Sequence, residues 1–280
     1  MRYRVRRGAM ALAAAFVVTI SGAAAFDSAK YPDWKGQWLR RGGITNQATW
    51  DPDKPWGPGQ QAPLTPEYQA IFEASIVDQK AGGQGTDPSW LCIPSSMPRV
   101  MLAVQPFEIV ILPETTYMMF EIFSTLRRIY TDGRDWPEKI EHSHAGYSIG
   151  HWEDADGDGR YDTLVVETRG IKGPHSYDNS GIPFHVDEKA VVKERIYSDK
   201  SNPNVLYAEI TTIDNALTRP WTVKRAYRRL PAKQPVWSEY VCTENNRHLL
   251  IGAENYVMGA DGHLMPTRKN QAPPDLRHFE

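Results

Sequence analysis

The sequence has little cysteine, little net charge and, beyond its first 25 residues, no apolar run long enough to cross a membrane. Only Cys92 and Cys242 occur among 280 residues, which excludes a multi-disulfide scaffold or a cysteine-rich zinc module. A formal net charge of −2 lacks the basic excess with which nucleic-acid-binding proteins neutralise phosphates. The 41% of hydrophobic residues exclude a disordered chain. The sequence therefore predicts a globular protein that does not bind nucleic acid.

The first 25 residues have the order of segments found in a secretory signal peptide. Arg2, Arg4, Arg6 and Arg7 precede an apolar stretch, and small residues follow up to Ala25. The apolar stretch is shorter than the roughly 20 residues of a membrane-spanning helix, so an uncleaved anchor is the weaker alternative. We predict cleavage after Ala25 and export to the periplasm or the exterior, by the general or the twin-arginine route. Removal of four arginines and no acidic residue leaves 255 residues with a net charge of −6.

Export changes what the two cysteines mean, because thiols outside the cytoplasm tend to be oxidised. Cys92 and Cys242 lie 150 residues apart, so a bridge between them would fasten an early segment to a late one. The alternative is two buried free thiols. We predict the disulfide.

Strand patterns dominate the chain from Phe107 onward. Val, Ile, Thr, Tyr and Phe recur in segments that are separated by turn residues. The predicted strands are 33–41, 107–112, 116–131, 147–153, 163–169, 189–197, 205–213, 221–229 and 236–243. Strands joined by short turns favour an antiparallel meander, and closure removes its exposed edges. The predicted fold is mainly β, with a single antiparallel β-barrel of lipocalin or calycin type.

One short helix is predicted ahead of the barrel. Thr65 can cap it, Pro66 suits its first turn, and Glu67 favours the positive end of its dipole. Apolar residues follow at helical spacing until a pair of glycines ends the pattern. The predicted organisation is a signal peptide at 1–25 and one domain at 26–280, with an N-terminal strap at 26–100 and a C-terminal tail at 270–280.

An acidic run between two predicted strands is the most specific motif. Its carboxylates alternate with residues that allow a tight turn, and calcium prefers a shell of six to eight oxygens. The predicted ligands are the side chains of Asp154, Asp156, Asp158 and Asp162 and the backbone carbonyl of Arg160. The run departs from the EF-hand pattern but resembles the short DxDGDGxxD calcium loops of exported β proteins. The alternative is a solvated acidic hairpin loop, and a bound calcium ion would be structural rather than catalytic.

Charged residues in and beside the strands are the candidates for acid–base chemistry. His185 precedes a predicted strand, where an imidazole at a barrel mouth could exchange protons. Glu167 is a second candidate base, and Tyr130, Arg127 and Arg128 could polarise a substrate. An inward group of this kind forms either a reactive polar pocket or a structural ion-pair network, because an isolated buried charge is costly.

Two further groups could serve either a site or the structure. His142 and His144 are two residues apart, so on a strand they would share a face and could bind a divalent metal, although no third ligand is evident. Otherwise they are an exposed pair. Trp38, Trp152 and Trp221 supply large apolar surfaces that suit either a ligand cavity or the core.

Several motifs resemble those of a large group of uncharacterised exported bacterial proteins. They are RRIYTDGR at 127–134, YSIGHWE at 147–153, DTLVVET at 162–168 and LTRPWT at 217–222, with MPR at 97–99 and CTEN at 242–245. In that group the Trp-Glu pair usually enters the next strand through a Gly-Asp turn, whereas here the acidic loop is inserted, so the resemblance implies that calcium binding is local to this branch. The group also tends to carry Pro-His-Ser before the strand at 189, whereas here His185 stands there and His175 lies in an earlier Pro-His-Ser. The resemblance implies an exported β-rich protein and no particular activity. Separately, the Gly-Gln-Trp that ends at Trp38 is similar to the Gly-x-Trp that opens lipocalin-type barrels.

These features together predict an exported barrel that binds a small hydrophobic or aromatic molecule in a central pocket. The alternative is an enzyme that uses the same pocket for cofactor-independent acid–base chemistry, such as a lyase, isomerase or hydratase. A second alternative is a structural protein of the envelope. The acidic run predicts bound calcium. The sequence has no nucleophile motif, phosphate-binding loop or dinucleotide fingerprint, so we expect no organic cofactor.

Overall fold

A computed structural model describes residues 26–41, 61–231, 235–252 and 254–277. The predicted signal peptide, its cleavage site after Ala25 and the last three residues of the predicted tail lie outside these ranges. The described residues form a closed barrel of nine strands. The barrel strands are β1 Gln37–Arg40, β2 Phe107–Ile111, β3 Thr115–Phe120, β4 Thr125–Tyr130, β5 Tyr147–Glu153, β6 Thr163–Arg169, β7 Val191–Ser198, β8 Val205–Ile213 and β9 Trp221–Arg229. The prediction of a single β-barrel is confirmed.

The strands follow one another around the barrel in chain order, and β1 closes it by pairing with β9. Eight of the nine described contacts are antiparallel, but β4 and β5 are parallel, with Ile129 opposite Ser148. The predicted antiparallel barrel therefore contains one parallel pair. A parallel contact needs a connection longer than a hairpin turn, and the segment 131–146 provides it.

The predicted strand 116–131 is two strands in the structure. β3 and β4 are separated by a tight turn in which Phe123 and Ser124 have φ values of 52° and 47°. The left-handed backbone region is unusual for residues other than glycine. Because neither glycine nor proline occurs here, the sequence does not indicate this turn. The strand periodicity on both sides consequently reads as one continuous strand.

The core lies inside the barrel and follows the alternation of each strand. In β8 the side chains of Leu206, Ala208 and Ile210 are fully buried, whereas those between them are partly exposed. Trp38 of β1 and Phe120 of β3 are also fully buried. A side chain with no exposed surface borders no space as large as a water molecule, so no ligand-sized space adjoins these five side chains.

A single long helix, α1 (Pro66–Lys80), occurs among the described residues and begins as predicted. The Thr65 side chain accepts a hydrogen bond from the Tyr68 backbone, and Glu67 lies in the first turn. The helix buries Tyr68 and Ser75, whereas Ile71 remains exposed, so the face against the protein is narrower than the apolar pattern suggested. Among the described residues, none of the helices is both long and apolar enough to span a membrane.

The chain after β9 departs from the prediction. Residues 236–243 form no strand: Gln37 donates a hydrogen bond to the Val236 carbonyl, residues 236–241 have no regular secondary structure, and 242–243 belong to a short helix. β9 already pairs with β8 and β1, so the closed barrel offers this segment no free edge. A short helix α2 (Cys242–Asn245) and a small antiparallel sheet follow, made of β10 His248–Ile251, β11 Glu254–Met258 and β12 Leu264–Pro266.

Cys92 and Cys242 form a disulfide, which confirms the predicted pairing. The bond joins the segment before β2 to α2. Asn246, just after α2, donates to the carbonyl of Trp90 and so adds a polar contact to the same junction. The disulfide therefore joins the segment before β2 to the segment after β9, both outside the barrel strands.

Candidate functional site

The interior of the barrel contains a buried ion pair between Arg127 of β4 and Glu194 of β7. Both side chains are fully buried, and the guanidinium contacts both carboxylate oxygens, with Nη1 3.1 Å from Oε1. Nη2 also donates to Thr168 Oγ1 at 3.0 Å, and Nε donates to Ser148 Oγ at 3.4 Å. Because β5 and β6 lie between the paired strands, the arginine side chain crosses the interior. The place expected for a central ligand pocket is thus occupied by a hydrogen-bonded structural cluster.

The remaining predicted acid–base residues lie apart from this cluster. Arg128 faces outward, with its guanidinium carbon 5.9 Å from the Tyr117 ring centroid. Glu167 lies on the outer surface of β6, where it pairs with Arg169 and Lys193. Glu167 and its two cationic partners are all partly exposed, as expected for ion pairs on a solvated barrel surface.

Tyr130 and His185 occupy two further places. The ring of Tyr130 is covered by the guanidinium of Arg134, 3.8 Å from its centroid. His185 lies in the connection between β6 and β7, with its Nδ1 3.0 Å from Asp187 Oδ1 and its backbone N–H bonded to Asp214. The structure therefore does not bring the five predicted residues together, and of the five His185 borders one of the cavities described below.

The three tryptophans predicted to bind a ligand are packed into the protein. Trp38 is fully buried, and its Nε1 donates to the carbonyl of Trp34 at 2.9 Å. Trp221 is buried with its ring centroid 4.5 Å from that of Tyr177, and half-buried Trp152 lies 5.1 Å from Trp34. These contacts place the tryptophans in the core and its margin.

The acidic loop joins β5 to β6 and gathers three of its carboxylates. One oxygen each from Asp154, Asp156 and Asp158 lies within 4.8 Å of the other two. Asp154 shapes the loop by accepting hydrogen bonds from the backbone of Gly157 and Gly159 at 2.7 and 2.9 Å. Both glycines have positive φ, which residues with a side chain rarely adopt. The loop sequence thus dictates the turn that brings the carboxylates together.

Asp162, the fourth predicted carboxylate ligand, is not part of this group, and the predicted backbone ligand at Arg160 stays a prediction. Asp162 Oδ1 accepts hydrogen bonds from the Ala155 backbone and from Thr163 Oγ1, at 3.2 and 2.7 Å. The side chain of Arg160 lines the neighbouring groove. Three convergent carboxylates suit a hard cation such as calcium, which would complete its oxygen shell with backbone carbonyls and water.

A groove of about 610 Å³ lies between the acidic loop and the outer surface of β7 and β8. Tyr161 of the loop, Tyr197 of β7 and Tyr207 of β8 contribute aromatic rings to it. Tyr197 and Tyr207 are direct cross-strand partners with ring centroids 5.7 Å apart. Tyr161 packs against Tyr31, 5.1 Å away, which fixes it to the N-terminal segment. The groove has the size and aromatic lining that are typical of small-molecule sites.

Tyrosine hydroxyls and neighbouring charged side chains supply the polar groups in and beside the groove. The hydroxyl of Tyr197 donates to Glu209 Oε1 at 2.7 Å. Burial raises the pKa of Tyr197, and the bond to Glu209 raises it further, so the hydroxyl remains protonated. Lys224 Nζ lies 4.2 Å from the centroid of the Tyr207 ring, as in a cation–π contact. The groove therefore combines flat apolar surface with fixed donors and acceptors.

A second cavity, of about 370 Å³, lies in the connection between β6 and β7. His175 borders it and packs against Phe184, with ring centroids 4.3 Å apart. The carboxylate of Glu188 is held at its wall, since Oε1 accepts from the Gly173 backbone at 2.7 Å and Oε2 lies 2.9 Å from His142 Nδ1. The groove and this cavity are at opposite ends of β6.

His175 is a neutral and unsatisfied imidazole. Burial lowers the pKa of His175 to about 4 against the opposing charge of Glu188, and nearby His144 lowers it further. The backbone of Lys172 also opposes the shift, though it makes no hydrogen bond of normal geometry with the ring. Within the described part of the chain, neither ring nitrogen of His175 has a hydrogen-bond partner. Both nitrogens are themselves enclosed by the protein, so it is the edge of the ring rather than its polar atoms that borders the cavity.

The sequence indicates these two sites only in part. Alternation predicts that Tyr197 and Tyr207 face outward but not that a loop covers this side of the barrel. Glu188 carries no motif, and its approach to His142 and His175 depends on the path of the long connection before β7.

The described residues form a closed β-barrel with the groove and the second cavity at opposite ends of β6. The chain matches no protein-family model and no curated protein. The resemblance to the group of exported bacterial proteins accordingly stays a prediction that depends on the motifs quoted above.

Proposed function

We propose that the protein is an exported β-barrel that binds a small molecule through a flat aromatic or apolar group in the groove beside the acidic loop. The observation that most supports this proposal is the cross-strand pair Tyr197 and Tyr207, which lines this groove together with Tyr161. Aromatic side chains supply contact area at low entropic cost, and their hydroxyls orient a ligand. The proposed ligand belongs to the class that the sequence predicts, a small hydrophobic or aromatic molecule. Its proposed binding site lies on the outer surface of the barrel and not in a central pocket.

Export is supported by the disulfide between Cys92 and Cys242, because such bonds persist mainly outside the reducing cytoplasm. We place the protein in the periplasm or the exterior on this ground and on the order of its first 25 residues. Membership of the exported bacterial group belongs to the same proposal.

The groove is tested by screening small aromatic fragments with ligand-observed NMR. Tyr207→Ala is expected to weaken the binding of hits about tenfold, because the ring provides both stacking and apolar area. Tyr117→Ala is the matched control, since Tyr117 is also a strand tyrosine under a cationic side chain but lies on β3, away from the groove. Equal binding by both variants would show that the groove is not the site.

We also propose that Asp154, Asp156 and Asp158 bind a calcium ion at the rim of the groove, as a structural staple. Calcium is then expected to raise the thermal unfolding midpoint, and a chelator to reverse the effect. Asp156→Asn should abolish the response, whereas Glu114→Gln in the exposed turn between β2 and β3 should retain it. If calcium does not change the thermal unfolding midpoint of the wild-type protein, the proposed site is refuted.

A further inference from the structure

We propose that a third cavity, between the N-terminal segment and β2, is a binding site for a small molecule that carries a carboxylate on an apolar chain. The cavity has a volume of about 430 Å³, with residues 31–35 on one side and residues 109–111 of β2 on the other. The apolar chain would lie between these two walls, and the carboxylate would bind the cations that border them. Pro32 and Arg160 also line the groove beside the acidic loop, so the two sites adjoin, but the tyrosine pair of the groove takes no part in this one.

The cavity exists because β2 extends beyond its pairing with β1. Only two residues of each strand are paired, and Gln37 opposite Glu108 is the end of the contact. Before Gln37 the chain turns away at Gly36, whose φ of 90° is readily adopted only by glycine. Residues 109–111 therefore have no partner strand on this side, and the space beside them stays open.

The backbone edge of β2 contributes to the wall. Three consecutive residues line the cavity although their side chains alternate between the two faces of the strand. The N–H of Leu112 donates to the Thr115 carbonyl at 3.0 Å, so the backbone of Leu112 points toward β3 and that of Ile111 points away from it. In the described part of the chain the N–H of Ile111 has no hydrogen-bond partner. This edge thus offers a donor to a ligand oxygen.

The opposite wall is held in position by the barrel. Trp34 Nε1 donates to Ser198 Oγ at the end of β7, at 2.7 Å. The guanidinium of Arg229 in β9 donates to the backbone carbonyls of Asp33 and Lys35. These contacts keep the N-terminal segment apart from β2 without a ligand. A preformed cavity favours binding, because little conformational entropy is lost when the ligand enters.

The lining is mainly apolar, and its charged residues carry an excess of positive charge. Phe26 and Tyr31 contribute a pair of rings with centroids 5.1 Å apart. The charged lining residues are Lys35, Arg160 and Asp33. Among the described residues, neither cation has an ion-pair partner. Two cations against one carboxylate favour an anionic group on the ligand, and the apolar walls favour a hydrocarbon chain attached to it.

The test follows the methyl signals of Ile109 and Ile111 by NMR while the full exported chain is titrated with three probes of equal chain length. The probes are octanoate, 1-octanol and octylamine. Saturable shifts are expected with octanoate, and binding about tenfold weaker or more with octanol, because charge-assisted hydrogen bonds are lost. No saturable shift with octanoate, or an affinity for the alcohol or the amine equal to that for octanoate, would overturn the proposal.

A charge variant tests the two cations. The double variant Lys35→Gln, Arg160→Gln is expected to lower the octanoate affinity about tenfold and to leave the octanol affinity unchanged. Lys139→Gln, which removes an exposed cation in the connection between β4 and β5, is the matched control and should bind octanoate like the wild type. Equal octanoate affinity in the double variant and the control would refute the role of the cations.

A second pair of variants tests the location. Val110→Asp places a charge on the apolar wall and should weaken both octanoate and octanol more than tenfold, whereas Leu126→Asp, on an exposed position of β4 that lines none of the cavities described here, should not. Equal losses in both variants would refute the location, and the methyl signal of Ile251 in β10 verifies that each is folded.

Tyr207→Ala separates this proposal from that of the groove. The variant should lose the aromatic fragments but bind octanoate like the wild type, because Tyr207 lines the groove and not this cavity. Loss of octanoate binding in this variant would mean that octanoate occupies the groove and would overturn the separate site.

Discussion

Arg127 and Arg128 are adjacent in the chain but lie on opposite sides of β4. Alternation fixes this difference, because neighbouring side chains of a strand point to opposite faces. The inward arginine needs a partner, and Glu194 provides it from across the barrel. Sequence alone predicts that one of the two faces inward but does not identify the partner, since Glu194 is 67 residues away.

The first prediction compares these two arginines. Arg127→Met removes the partner of a fully buried carboxylate and is expected to lower the free energy of unfolding by about 3 to 5 kcal/mol. Arg128→Met on the solvent side should change it by less than about 0.5 kcal/mol. Urea unfolding measures both. A cost for Arg127→Met no larger than that of the control would mean that Glu194 finds other partners.

His175 gives a second prediction, about pH. Its folded-state pKa of about 4 lies below the ordinary value near 6.5, so between these pH values the unfolded chain binds a proton that the folded protein does not. Stability should therefore fall as the pH decreases from about 6.5 to about 4. His175→Phe should flatten this part of the stability curve. NMR titration checks the cause directly, and a ring that titrates near pH 6.5 would contradict it.

At the scale of elements, the alternation of apolar and polar residues locates most of the barrel strands. β6, β8 and β9 lie where the alternation of the sequence put them. The failures at 116–131 and 236–243 have physical causes: a turn built from non-glycine residues at positive φ, and a closed sheet with no edge left to extend. Neither cause is visible in a local window of sequence.

The third prediction concerns the disulfide between α2 and the segment before β2. Because the bond closes a 150-residue loop, its reduction should lower the free energy of unfolding by about 4 to 5 kcal/mol in the loop-entropy description. Denaturation with and without reductant measures the difference, and the Cys92→Ala, Cys242→Ala double variant should match the reduced wild type. Equal stability in the oxidised and reduced forms would show that the unfolded chain is already constrained.

At the scale of the whole molecule, the barrel is closed by segments from opposite ends of the sequence. Trp38 in β1 lies opposite Arg229 in β9, so the last contact joins residues 191 positions apart. Non-local pairing of this kind delays folding, because the entropy of a long loop must be lost before the contact forms. The groove and the cavity between β6 and β7 also belong to this scale, since each includes loop residues whose positions the barrel fixes.

The fourth prediction follows from this closure. Refolding monitored by tryptophan fluorescence should be slow, in the range of about milliseconds to seconds that is typical of barrels rich in non-local contacts. Trp38→Ala should lower the free energy of unfolding by about 3 to 5 kcal/mol, because it empties a fully buried position at the closing strand. Complete refolding within microseconds would contradict the importance of this contact.

The parallel contact between β4 and β5 has a consequence for how the barrel can vary. Each antiparallel contact reverses the direction of the chain and each parallel contact preserves it, so one circuit of a closed sheet must contain an even number of reversals. With nine strands in the described barrel, at least one contact has to be parallel, and β4–β5 supplies it. β2 and β9 run in the same direction, so the loss of β1 alone would force them into a second parallel contact. Strand number in such a barrel therefore changes most easily in pairs, by gain or loss of whole hairpins.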